Sequence, residues 1–249
     1  MIELFRSLFT PPRHLILLVA AVWLGQSLAE KRVSRYKVSP EVLGNLIFYG
    51  LIAFILGGRL YYALSHLTAF IKSPLSLFDI GVSLFDPLGG SVAALLTMLV
   101  YGRRQKLELW NTLDALTPFL AILAVALGLS HLAAGIPFGK PTSLPWAIHL
   151  WNEDRHPIQI YESLAALLTF GLVWTLKPNP RPGLLFLTFA ALTAGWQLFV
   201  GAYRGDGTLL PGGFHMEQII AWAVLAASLG LYEWRQRQAA MSNPGDILS

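Results

Sequence analysis

The chain contains no cysteine. Its own residues therefore supply no disulfide, no thiolate metal site and no cysteine nucleophile. Charge is also scarce. Asp, Glu, Lys and Arg make up 13% of the residues, against roughly 25% in a soluble domain. No internal repeat and no low-complexity segment is visible. What the chain has is apolar sequence, 55% of the total, with a mean hydropathy of +0.55. The apolar residues form long runs and do not alternate with polar ones. Each run is near the ~20 residues that cross a hydrocarbon core. Runs of this length span a membrane as helices and not as barrel strands. The expected fold is all-α: a polytopic membrane protein, one integral domain over 1–249.

Seven spans are expected, at about 15–29, 43–69, 86–101, 113–132, 159–176, 183–203 and 216–234. The third is short, so it starts earlier or tilts. Arg6, Pro11, Pro12 and Arg13 precede the first run, and further spans follow it without a soluble domain. That pattern reads as a retained helix and not as a cleaved secretory signal. The tail, about 238–249, is expected to be disordered.

The net charge of +4 sits mostly in loops. It reads as topology signal and attraction to a lipid surface, with no nucleic-acid partner implied. One side would hold Lys31, Arg32, Arg35, Lys37, Arg103, Arg104, Lys106, Lys177, Arg181, Arg235 and Arg237; the other would hold Arg6, Arg13, Lys72, Lys140, Arg155 and Arg204. The richer side is the cytoplasmic one. The N-terminus is thus expected outside and the C-terminus in the cytoplasm. The longest connection, about Ala133–Ile158, falls on the outer side and carries Trp146, His149, Trp151, Asp154, Arg155 and His156. Trp146 and Trp151 suit an interfacial belt. Polar backbone at that depth must be covered by protein or line a wet cavity.

An ionisable group inside a span costs roughly 2.5–3.5 kcal/mol on insertion scales, which makes each one a candidate. Arg59, in Gly57-Gly58-Arg59-Leu60-Tyr61-Tyr62, either holds an anionic lipid phosphate, snorkels to an interface or pairs with Glu162. His131 either takes a proton from a thiol or hydroxyl, or bonds a loop carbonyl at its helix end. His156-Pro157 with Gln159, Tyr161 and Glu162 reads as a helix entry, with Pro157 in the first turn. Its plainer role is to fix how the outer loop enters the fifth span. Arg204 and Asp206, in Tyr203-Arg-Gly-Asp-Gly207, either bind a lipid headgroup or a peptide, or form a solvated turn. Glu217 opens the last helix, where the helix dipole accounts for it.

Taken together, several segments carry a resemblance. They are Phe48-Tyr49-Gly50-Leu51, Gly57-Gly58-Arg59-Leu60, Leu88-Gly89-Gly90, Arg103-Arg104 followed by Asp114 and Pro118, Gly139-Lys-Pro-Thr-Ser-Leu-Pro-Trp146, Arg155-His-Pro-Ile-Gln-Ile-Tyr-Glu162, Pro180-Arg-Pro-Gly-Leu-Leu-Phe186 and Met216-Glu-Gln-Ile219. From about Phe48 to Trp222 the chain resembles the bacterial prolipoprotein diacylglyceryl transferases. The resemblance implies a seven-span inner-membrane protein. Members of that family move the diacylglyceryl group of phosphatidylglycerol to the lipobox Cys thiol of a preprolipoprotein.

Specific departures accompany it. The family His before the paired Gly is Leu88. The signature Gly-Arg-Ile-Gly-Asn-Phe-Ile-Asn-Gly-Glu becomes Leu127-Gly-Leu-Ser-His-Leu-Ala-Ala-Gly-Ile136, so its Arg is Gly128, its two Asn are His131 and Ala134, and its Glu is Ile136. An Arg-x-x-x-Glu pair falls on Gln197 and Gly201, while the next Arg is kept as Arg204. Losing one donor that stabilises transition-state charge costs about 2.7–4 kcal/mol of barrier.

The resemblance thus implies a divergent transferase acting on phosphatidylglycerol and a lipoprotein-precursor signal peptide or related acceptor. His131 and Gln197 would carry the chemistry, and Tyr49, Arg59, Gly89, Gly90, Gly139, His156, Gln159, Tyr161, Glu162 and Arg204 would bind substrate. No cofactor or metal is implied. The alternatives are a non-catalytic paralogue that binds lipid or lipoprotein, and a transferase with a different donor or acceptor. A retinal protein is excluded, because the last span has no Lys for a Schiff base.

Overall fold

The computed structural model describes residues 13–72, 85–134, 137–150, 152–177, 181–207 and 215–242. Eight α-helices account for most of them: α1 (Arg13–Arg32), α2 (Pro40–Ser65), the short α3 (Leu67–Lys72), α4 (Pro87–Arg104), α5 (Leu109–Ala134), α6 (Ile158–Thr175), α7 (Leu184–Gly201) and α8 (Met216–Ser242). A 3-10 turn, Val33–Tyr36, follows α1. A small hairpin, β1 (Ile148–Leu150) and β2 (Glu153–Arg155), precedes α6 and is the one departure from an all-α chain among the described residues.

Seven of these helices are 18 to 27 residues long. At 1.5 Å per residue that is about 27–40 Å, from just under to well over the ~30 Å of a hydrocarbon layer. Four of them, α2, α5, α6 and α7, are both long and apolar enough to cross a membrane by length and composition. The other three carry charge near their ends: Glu30, Lys31 and Arg32 in α1, Arg103 and Arg104 in α4, and Glu217, Glu233, Arg235 and Arg237 in α8. Large apolar side chains point outward all along the helices, among them Val19, Trp23, Leu168, Phe199 and Trp222. So much outward apolar surface is at home in lipid and not in water. The protein is membrane-embedded.

The expected spans locate the helices, and the ends differ for local reasons. Helix α2 starts at Pro40 because Ser39 caps it: the Ser39 hydroxyl accepts from the Val42 N–H at 3.2 Å, and proline suits the first turn. It stops at Ser65, so the span expected to reach 69 is divided between α2 and α3. Helix α8 runs to Ser242, past the tail boundary expected at 238. The rest of that tail, 243–249, lies outside the described residues, as does Ile136.

The chain divides into two compact units, Met1–Tyr36 with Leu113–Ser249, and Lys37–Thr112. In the smaller unit α2 and α4 pack through glycines. A Cβ at Gly57 would lie 2.2 Å from the Ala93 Cβ, and one at Gly89 would lie 2.3 Å from the Tyr61 Cβ. Asp86 caps α4, accepting from the Gly89 N–H at 2.7 Å.

In the larger unit α5, α6 and α7 meet around Ala121, Val173 and Phe189. Helix α7 has no side-chain cap of its own at Gly183. Asp114 of α5 caps it instead, accepting from Gly183 N–H at 2.6 Å and Phe186 N–H at 2.9 Å. Arg32 donates to the Trp174 carbonyl and lies over the Trp174 ring, 3.6 Å from its centroid, which ties the end of α1 to the end of α6.

Candidate functional site

A cavity of about 210 Å³ opens in the larger unit, walled by α5, α6 and α7. Its apolar part is lined by Ala124, Leu127, Ala165, Ala166 and Val200. Its polar part holds His131, Glu162, Gln197 and Arg204, with Thr169 and Thr193 nearby. The Thr169 hydroxyl donates to the Ala165 carbonyl of its own helix at 2.9 Å, so its proton is already committed.

The four polar groups reach the cavity from different elements. His131 sits in the last turn of α5 and Glu162 in the second turn of α6. The His131 Nδ1 lies 3.0 Å from Glu162 Oε2. The partner of His131 is thus a carboxylate on the neighbouring helix and not a loop carbonyl. Arg204 follows α7. Its Nη1 is 3.9 Å from Glu162 Oε1, while its Nε and Nη2 donate to Asp206 Oδ1 and Oδ2 at 3.2 and 3.3 Å. The Arg204 side chain is 17% exposed, in a turn whose Tyr203, Gly205 and Asp206 are exposed. Gln197 lies on α7 beside Trp196.

The backbone around Arg204 is held by the outer connection. Gly139 and Arg204 form an antiparallel bridge. Lys140 N–H donates to the Tyr203 carbonyl at 2.8 Å, and Gly205 N–H to the Phe138 carbonyl at 2.9 Å. Gly139 is required by this crossing, because a Cβ there would lie 2.2 Å from the His156 carbonyl oxygen. Arg155 clamps the same turn, donating to the Gly139 carbonyl at 3.1 Å.

The other expected site residues of this unit build the frame and do not line the cavity. Gln159 is fully buried and donates to the Pro137 carbonyl. Tyr161 accepts from Trp146 Nε1 at 2.8 Å and meets the His156 ring edge-on. His156 packs at 4.8 Å from the Tyr203 ring. Pro157 stands at the cap position just before α6.

Four more expected residues, Tyr49, Arg59, Gly89 and Gly90, belong to the smaller unit. Tyr49 packs on Tyr101 with ring centroids 5.3 Å apart. Arg59 is half-buried and engaged with neighbouring groups. Gly89 and Gly90 lie in the tight α2–α4 contact.

The family model for prolipoprotein diacylglyceryl transferase matches residues 14–234. The chain belongs to that family. Three relatives carry the name phosphatidylglycerol–prolipoprotein diacylglyceryl transferase. One, from Nostoc sp. (strain PCC 7120), is 27% identical over 241 residues, 88% of this chain and 83% of the relative. One from Methylococcus capsulatus is 33% identical over 171 residues, 65% of this chain and 64% of the relative. One from Pseudomonas putida (strain F1) is 27% identical over 247 residues, 91% and 89% of the two chains.

Two features of this family member escaped the sequence. Asp206 takes the Nε–Nη2 edge of Arg204, a pairing that the Arg-Gly-Asp string by itself does not specify. Tyr203 packs against the rings of His156, tilted, and Tyr161, edge-on, a contact between segments distant in sequence. At Gly128, a Cβ would lie 2.5 Å from the Ser163 Oγ and 2.8 Å from the Ser163 nitrogen. Helices α5 and α6 are therefore too close there for any side chain.

Proposed function

We propose that the protein is a divergent diacylglyceryl transferase of the membrane, with the α5–α6–α7 cavity as its reaction chamber. The observation that carries this reading is the hydrogen-bonded pair of His131 and Glu162 at the cavity wall. With Nδ1–H donated to Glu162, the His131 Nε2 keeps a lone pair and the imidazole is held in one tautomer. That is the arrangement of an oriented general base.

In this reading Nε2 takes the proton of an acceptor thiol, that of a lipoprotein-precursor cysteine. The sulfur attacks the glycerol carbon bearing the phosphate. The S–C bond forms, the C–O bond breaks, and its electron pair leaves with the phosphate oxygen of the departing glycerol phosphate. Arg204 holds that phosphate and Gln197 donates a hydrogen bond to it; Arg59, in the smaller unit, is kept by itself as a lipid-phosphate position. The proton on His131 then returns to water. Phosphatidylglycerol, the lipid in the relatives' names, is the donor proposed. Gly139, Gln159, Tyr161 and His156 serve by fixing the outer connection. Tyr49, Gly89 and Gly90 are kept as substrate-side positions of the smaller unit.

The chain would act in the bacterial plasma (inner) membrane as a single integral domain. Its seven long helices would all span, with the N-terminus outside and the C-terminus in the cytoplasm. The experiment is transfer of a labelled diacylglyceryl group from phosphatidylglycerol to a lipobox peptide by purified protein. His131→Ala should lower transfer at least 100-fold, the lower range for losing a general base, with an unchanged melting temperature. Transfer that persists in His131→Ala would remove His131 from the mechanism.

One observation favours a second reading, a paralogue that binds lipid without transferring it. The Gly128–Ser163 contact leaves no room for a cation at that wall. Lipid binding by intact protein with no transfer would select that reading.

A further inference from the structure

Arg204 stands between two carboxylates, and they hold different parts of it. Asp206 takes the Nε and Nη2 edge with two hydrogen bonds at 3.2 and 3.3 Å. Glu162 faces only Nη1, at 3.9 Å, beyond hydrogen-bond distance. The other Glu162 oxygen is bonded to His131 at 3.0 Å. One string of groups thus runs His131, Glu162, Arg204, Asp206. Asp206 lies in an exposed turn, and His131, Glu162 and Arg204 are partly buried, with side-chain exposures of 38, 15 and 17%. Attraction between such charges is less screened than at an open surface.

The guanidinium is planar, and its two-nitrogen edge pairs best with one carboxylate at a time. Its backbone cannot drift, because the Gly139 bridge fixes Arg204 and a Cβ at Gly205 would lie 2.9 Å from the Gly139 carbonyl oxygen. Side-chain rotation is the freedom left. Asp206 holds the fork here and Glu162 is the second carboxylate near the guanidinium, so which of them takes the fork decides how much of Glu162 remains for His131. Among the described residues lining the cavity, His131, Glu162 and Arg204 are the ionisable ones, and Asp206 reaches Arg204 from beside the lining.

We propose that Asp206 is a positioning residue: by occupying the forked edge of Arg204 it keeps Glu162 free to orient His131. This rests on the reading of His131 as the base, and its test needs no turnover. Without the Asp206 charge, Arg204 turns its fork onto Glu162. The Glu162–His131 bond is then shared or lost, and the imidazole is no longer held in one tautomer.

The experiment is nitrogen-15 NMR of histidine-labelled full-length protein in lipid nanodiscs, with His131→Gln used to assign the signal. The native protein should show a His131 Nδ1–H protected from exchange. Asp206→Asn, close in shape but uncharged, should speed that exchange at least tenfold. Asp206→Glu should restore protection. In an Arg204→Gln background Asp206→Asn should add nothing, because the competitor is gone; this cycle isolates the coupling.

Unchanged protection in folded Asp206→Asn would overturn the proposal. So would loss of protection in Asp206→Glu as well, since turn shape and not charge would then be responsible. An equal further effect in the Arg204→Gln background would do the same. A protected proton that responds as expected in a protein without transfer activity would sustain the Asp206 role and remove the transferase reading instead.

Discussion

Asp114 shows how one residue serves an element far from it in sequence. Gly183 stands at the cap position just before helix α7, where its φ of 96° suits glycine, and no side chain of its own caps the helix. The two Asp114 bonds, to Gly183 and Phe186 N–H, replace the missing cap from 69 and 72 residues away. Buried donors left without an acceptor cost about 1–3 kcal/mol each. Asp114→Ala should therefore destabilise the protein by that amount or somewhat more, read as a lower melting temperature in detergent. Asp114→Asn keeps one acceptor oxygen and should fall between the two. A melting temperature unchanged in Asp114→Ala would show that water or another group caps α7. The same logic explains why the cavity was only half legible in the sequence. His131, Glu162 and Arg204 could each be singled out as an ionisable residue near a span end, and Gln197 only through the family resemblance. Their pairing could not, because His131 and Glu162 are 31 residues apart and meet only when α5 packs on α6.

At the scale of elements, the helices were readable because apolar runs near ~20 residues admit few other structures in lipid. Their ends were less so. The hairpin was missed because its strands are three residues each, too short for alternation to show. The α2–α4 pair separates two meanings of one motif. Gly89 and Gly90 resemble a substrate-binding pair, yet Gly57, Gly58, Gly89 and Gly90 all lie where the helices nearly touch. Close approach through small residues is a general means of helix association in membranes. If packing is their work, Gly89→Leu overfills the contact and should cost about 1–3 kcal/mol, again seen as a lower melting temperature. A normal melting temperature with a raised KM for the lipid donor would instead place Gly89 at the substrate.

For the whole molecule the open quantity is how the chain threads the membrane. Lys and Arg divide eleven to six between the two sets of connections, and the richer set belongs in the cytoplasm. The chain offers an unusually clean test, because it has no cysteine and every thiol signal will come from an introduced one. Ser34, Gln105 and Ser143 are exposed and fall in three different connections. In spheroplasts a membrane-impermeant maleimide should label Ser143→Cys at once, and should label Ser34→Cys and Gln105→Cys only after the membrane is opened. Ser34 and Gln105 are separated by α2, α3 and α4 along the chain, so they share a side only if an even number of crossings lies between them. Labelling of Ser34→Cys without Gln105→Cys would mean that α2 or α4 does not span. Labelling of both, with Ser143→Cys protected, would invert the molecule and put His131 at the cytoplasmic face. An acceptor thiol would then have to be presented from the cytoplasm, and the proposed chamber would face the wrong compartment for an exported lipoprotein precursor.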